Sequence, residues 1–241
     1  MADIKIAVMN SSTVVTDDEV KKLIPALQTQ VTRDFGPVWG LDAGLRFVSG
    51  KSKPSPKEWW LAILDNSDQA GALGYHDLTT EGLPLSKVFA KSDMQYGEQW
   101  SVTASHELLE MLADPNINLT VFEEAGSGGR LYAYEVCDAC EAEDFGYKIG
   151  DILVSDFVYP SWFESFRKTG TQFDYMNKIK KPFQLLKGGY IGVYDVNSGS
   201  GWTQLTADKN NFRSRPPVGS RRERRTLFIS SRIKSTVFKI K

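Results

Sequence analysis

The stretch His106-Glu107-Leu108-Leu109-Glu110 constrains this chain more than any other. A histidine and a carboxylate four residues apart share a side only on an α-helix. The run ends at Asp114-Pro115. Proline cannot continue a helix and disfavours helical geometry in the residue before it, so the helix is expected to stop there, having begun near Glu98. Thr103, His106, Glu107, Glu110 and Asp114 fall on one stripe; Ala104, Leu108, Leu109, Met111 and Leu112 cover the rest. That polar stripe has no lysine or arginine. Three carboxylates and a histidine without a basic partner repel one another, and burying them is costly unless a cation neutralises them. The competing reading is an acidic stripe facing solvent.

If the helix is buried, one metal ion can touch both His106 and Glu110, with Glu107 placed to take a proton from a metal-bound water. A catalytic zinc commonly has three protein ligands plus water. Further donors lie in Tyr134-Glu135-Val136-Cys137-Asp138. Asp114, one turn beyond Glu110, is a rival third ligand, although Pro115 would splay it away.

H-E-x-x-E followed by E-x-x-D resembles the zincin metallopeptidases, whose helix carries H-E-x-x-H. It is most similar to the gluzincin-type branch, in which a glutamate on a later helix is the third ligand. That resemblance implies zinc held by His106, Glu110 and Glu135, and Glu107 as general base. It places Asp138 in the second shell as the hydrogen-bonding partner that orients His106, and implies a peptide or protein substrate. The fold it implies is α+β: a mixed, twisted sheet with the active-site helix packed on it, followed here by a β-rich C-terminal extension. Glu110 departs from the pattern by replacing a histidine. Two carboxylates cancel the charge of a divalent ion, which weakens it as a Lewis acid and opens the site to other divalent metals. The expected activity is a metal-dependent hydrolase; the alternative is a catalytically inactive scaffold or assembly protein of the same fold.

The early chain reads in a compatible order. Ile4 to Met9 is a strand. Thr16-Asp17-Asp18-Glu19 is a capping box opening a helix to about Asp34, with Pro25 expected to kink it. Leu45 to Val48 is a strand, and Trp59 to Leu64 and Ala72 to Asp77 are strands joined by a polar turn. In zincins the strand before the active-site helix is an antiparallel edge that lines the cleft and holds an extended peptide. By that resemblance His76 and Tyr75 face the substrate, and His76 joins Glu107 as a catalytic candidate. Tyr132, Tyr134 and Tyr147 are further candidate donors. Gly126, Gly128 and Gly129 read as a loop, and Gly188 to Leu205 as a hairpin with its turn at Asn197 to Gly201.

Cys137 and Cys140 are the chain's only cysteines. They admit three readings: half a zinc site, a redox pair, or small buried residues beside Asp138. A disulfide scaffold is excluded by their number. The acidic run Glu141, Glu143, Asp144 lacks the ligand spacing and central glycine of an EF-hand loop, and reads as solvated.

A hydrophobic share of 41% suits a globular core. No stretch approaches the ~20 apolar residues that span a bilayer, so no membrane role is expected. The N-terminal strand is not a signal peptide, which makes the cytoplasm the expected location. We divide the chain into a zincin-like metal-binding domain (1–170), a β-hairpin extension (171–211) and a basic tail (212–241). The tail has ten basic residues and one acidic residue, against 19 basic and 29 acidic in residues 1–211. Arg221, Arg222, Arg224 and Arg225 form its densest cluster. Such a tail binds an anionic partner: nucleic acid, or, as we favour, its own acidic body, another copy in a homo-oligomer or an assembly partner.

Overall fold

The computed structural model describes residues 4–50, 52–69, 72–125, 128–165, 168–198 and 201–207. Its first strand, β1 (Ile4–Asn10), is buried over its last five residues, as a strand covered on both faces must be. The capping box forms as read: Thr16 accepts the Glu19 N–H and Glu19 answers at the Thr16 N–H, opening α1 (Asp17–Thr29). Pro25 lies within α1. The coil then widens into a π-helical stretch, Gln30–Phe35, before α2 (Gly36–Trp39).

Four strands follow: β2 (Ala43–Ser49), β3 (Trp59–Leu64), β4 (Gly74–Leu78) and β5 (Pro84–Phe89). With β1 they make a five-stranded mixed sheet in the order β2-β1-β3-β5-β4. Every neighbouring pair is parallel except the last, where β4 runs antiparallel to β5 and forms the edge. The two strands expected around the polar turn are therefore not neighbours, because β5 lies between them. Sequence reading misses β5 because Pro84, Ser86 and Lys87 break its apolar run. The structure buries all six residues. It accommodates Lys87 by an ion pair with Asp68 at 2.6 Å and a hydrogen bond to Tyr75 Oη at 2.7 Å.

Two helices follow, α3 (Ala90–Tyr96) and α4 (Trp100–Ala113). Helix α4 packs against β5 and β4. Ser86 Oγ on β5 donates to the Glu107 carbonyl at 2.8 Å, fixing how far the helix slides along the strand. Of the glycine-rich loop expected before Glu135, Gly128 and Gly129 belong instead to a hairpin, β6 (Thr120–Ala125) with β7 (Gly128–Ala133), and Gly126 lies outside the described residues. The short antiparallel pair β8 (Tyr147–Ile149) and β9 (Ile152–Val154) covers another side of α4. The C-terminal hairpin forms where expected, as β10 (Tyr190–Asp195) and β11 (Trp202–Thr206), and β10 pairs with β7 to make a four-stranded sheet. One hydrophobic core joins both sheets, from Ile6 and Leu61 through Leu108 and Tyr132 to Trp162 and Val193. The basic residues of 212–241 lie outside the described residues. Among the described residues no helix is long and apolar enough to cross a membrane.

Candidate metal centre

Helix α4 is buried on nearly all sides, including His106, Glu107 and Glu110. That outcome rules out a stripe facing solvent. Its end is set as the sequence suggests: Asp114 closes the helix, and its carboxylate accepts the N–H groups of Asn118 and Leu119 at 2.9 and 3.0 Å. Asp114 thus anchors the turn after the helix. It belongs to none of the metal-capable groups found among the described residues.

Glu135 does reach the cluster, by another route than the resemblance implies. It sits not on a later helix but in the extended link between β7 and a short 3-10 turn, Asp138–Cys140. The Val158 N–H donates to the Val136 carbonyl at 2.7 Å, and the Cys137 N–H donates to Glu110 Oε1 at 3.2 Å. These backbone bonds hold the E-x-x-D segment against α4.

The geometry of the cluster is specific. His106 Nε2 lies 3.2 Å from Glu110 Oε1 and 3.3 Å from Asp138 Oδ1. His76 lies between three carboxylates: its Nδ1 is 3.8 Å from Glu107 Oε2 and 3.7 Å from Glu110 Oε2, and its Nε2 is 4.0 Å from Glu135 Oε2. Three sets of donor atoms lie within 4.8 Å of one another: His76, Glu110 and Glu135; His106, Glu107 and Glu110; His106, Asp138 and Glu141. The expected triad is thus divided. Glu135 and Glu110 come together around His76, while His106 groups with Glu110 from the other side. Asp138 meets the same His106 nitrogen that faces Glu110, which makes it a potential ligand rather than an orienter acting from the far nitrogen.

His76 is the largest revision. It is fully buried and absent from the cleft wall, so it does not face a substrate as expected. Strand alternation explains why: Gly74 and His76 point toward α4, and Tyr75 points away to donate to Asp68 and accept from Lys87. Tyr132 and Tyr147 are likewise engaged elsewhere, donating to Glu123 and Asp34, and Tyr134 packs on Trp39 and Phe163. The tyrosine at the cleft is Tyr190, which sequence reading passed over because it marks only the start of a strand.

A cleft of about 370 Å³ opens onto the motif, with His106, Glu107, Thr103 and Gly74 in its wall. Glu98, Glu141 and Glu143 also line it, and among the described residues no lysine or arginine does. Glu141 and Glu143 of the acidic run after Cys140 therefore form part of the rim of this cleft. Crowding shows in the titration behaviour. Burial first, then Glu143, raises Glu98, and burial with the charges of Glu98 and Glu143 lifts Asp93 to about 7 despite its bond from Thr103. Burial alone would lower His106, but the charge of Glu110 and hydrogen bonds with Asp138 and Glu110 hold it well above its ordinary value. Burial pushes both cysteine thiols well up, which works against a reactive thiolate and against the redox reading.

Two imidazoles and four carboxylates, all at most 8% exposed, make a donor set that fits a divalent cation. The spacings around His106 match adjacent ligands of one ion, which at bond lengths of 2.0–2.2 Å lie ~3 Å apart. No protein-family model, curated protein or solved structure matches the chain.

Proposed function

We propose that the chain is a metal-dependent hydrolase of zincin-like design that cleaves peptide bonds. The observation that carries this reading is the placement of His106 and Glu110, one turn apart on a buried helix, with Glu107 between them in the wall of a cleft. The ion, zinc or another divalent metal, would be held behind the cleft wall by His106 and Glu110, with Asp138, Glu135 and His76 as the surrounding donors. When bound it supplies Lewis acidity and a water of lowered pKa. Glu107 takes the proton from that water and passes it to the leaving nitrogen. Strand β4 ends the sheet beside this site, and Leu73 and Gly74 at its start line the cleft, so an extended peptide can add along it by backbone pairing. The carboxylate rim favours substrates without acidic side chains near the cleaved bond.

The test is cleavage of an unstructured protein such as casein by the metal-loaded chain, with and without chelator. Glu107→Gln should lower turnover by about 10²–10⁴-fold and leave metal content intact. Full activity in that variant removes Glu107 as the base. A loaded chain that cleaves nothing favours a catalytically silent scaffold, a reading supported by the burial of His76, Glu110 and Glu135 away from the cleft.

A further inference from the structure

The two histidines approach opposite oxygens of one carboxylate. Glu110 Oε1 faces His106 Nε2 at 3.2 Å, and Glu110 Oε2 faces His76 Nδ1 at 3.7 Å. Each histidine brings its own second carboxylate: Asp138 Oδ1 lies 3.3 Å from His106, and Glu135 Oε2 lies 4.0 Å from His76. Among the described residues, no three-donor group within 4.8 Å contains both His106 and Glu135. Two of the three donor groups share Glu110, one around His76 and one around His106. The His106 set lies at the cleft, because His106 is in its wall; His76, Glu110 and Glu135 are not.

Charge leads to the same division. Glu107, Glu110, Glu135 and Asp138 bring four carboxylates into a region at most 8% exposed, and an imidazole that ligates a metal is neutral. One divalent ion offsets the charge of two of them; the others stay ionised in this dry region only beside a protonated imidazole or a second cation. Two divalent ions cancel all four. Carboxylate-bridged pairs of ions ~3.5–4 Å apart are a recurrent arrangement in hydrolases.

We infer that the cluster is a two-metal site, with Glu110 bridging, His106 holding an outer position at the cleft, and His76 and Glu135 completing an inner position closed to solvent. This rests on the metal-centre reading above. The outer ion exchanges with solution through the cleft, and the inner ion leaves only when the fold opens. A chelator should therefore strip the metal in two phases.

The test uses the full chain, saturated with Mn(II) and passed through a desalting column. Elemental analysis is expected to give two ions per chain, and electron paramagnetic resonance an exchange-coupled signal. His76→Asn should retain one ion and give the six-line signal of isolated Mn(II). One ion per chain at saturation, or an uncoupled spectrum from the wild-type chain, overturns the inference. Should His76→Asn not fold, the wild-type spectrum decides alone. One ion together with chelator-sensitive cleavage removes the second site and leaves the hydrolase reading standing. Two coupled ions without any cleavage do the reverse, and no bound metal removes both.

Discussion

A single methyl group at position 74 is enough to probe how tightly strand and helix meet at the site. A Cβ built on Gly74 lies 2.7 Å from Glu107 Cγ and from Thr103 Cγ2. Gly74→Ala should therefore cost roughly 1–3 kcal/mol by overpacking. It should also displace Glu107, lowering turnover while metal content holds. Denaturant melts and elemental analysis read the two effects, and an alanine variant as stable as wild type would show that the contact is looser. A different residue-scale effect sits far from the cleft. Asp156 and Asp174 are both fully buried; Asp156 accepts the N–H groups of Phe157 and Met176, and Asp174 those of Lys178 and Ile179. Burial, then the neighbouring Asp174, pushes Asp156 up to about 8. An acid whose pKa is raised on folding holds its proton more tightly in the folded chain. Its contribution is fully favourable below about pH 4 and is lost as pH rises toward 8. Asn at 156 keeps the acceptor for both amides and cannot ionise. Thermal melts in a pH series should show Asp156→Asn gaining on wild type progressively from pH 4 to 8. A constant difference across the series would mean that Asp156 does not titrate in that window.

Among the elements, the end of α4 and the E-x-x-D link have separable duties. Asp114→Ala removes the acceptor for two backbone N–H groups and should lower stability by roughly 1–3 kcal/mol with bound metal unchanged. Glu135→Gln should do the opposite, costing metal first. Equal metal loss in both variants would contradict the assignment of Asp114 to the turn. The elements also show what a sequence discloses about such a site. The capping box at Thr16, the apolar run Trp59 to Leu64 and the stop at Pro115 are local signals, and each forms close to where it is read. Strand β5 and the hairpin of β6 and β7 are not legible, because their burial comes from neighbours distant in sequence. Lys87 reads as a surface residue until Asp68 and Tyr75 are brought beside it. His76 is misread for the same reason. Its three carboxylate neighbours come from α4 and from beyond β7, and nothing near position 76 announces them.

Considered as a whole, the described chain has its two larger sheets joined by one core, and β10 is bonded to β7 rather than standing apart. Unfolding should therefore be a single cooperative event from Ile4 to Ala207. Far-ultraviolet dichroism and tryptophan fluorescence, with Trp59 and Trp60 on the first sheet and Trp202 on the second, should give coincident transitions. Two resolved steps would restore a separate C-terminal extension. The shared carboxylate of Glu110 carries a consequence for kinship. A five-residue helical pattern is too short to trace ancestry by itself, whereas the fold demands two further marks. A glycine must stand two places before a strand histidine upstream, and a glutamate followed three places later by an aspartate must stand downstream. Descent from a common ancestor should be visible as these three marks surviving together or decaying together. A chain that keeps the helical mark but has lost the histidine upstream has lost half of the pocket's positive guests with it.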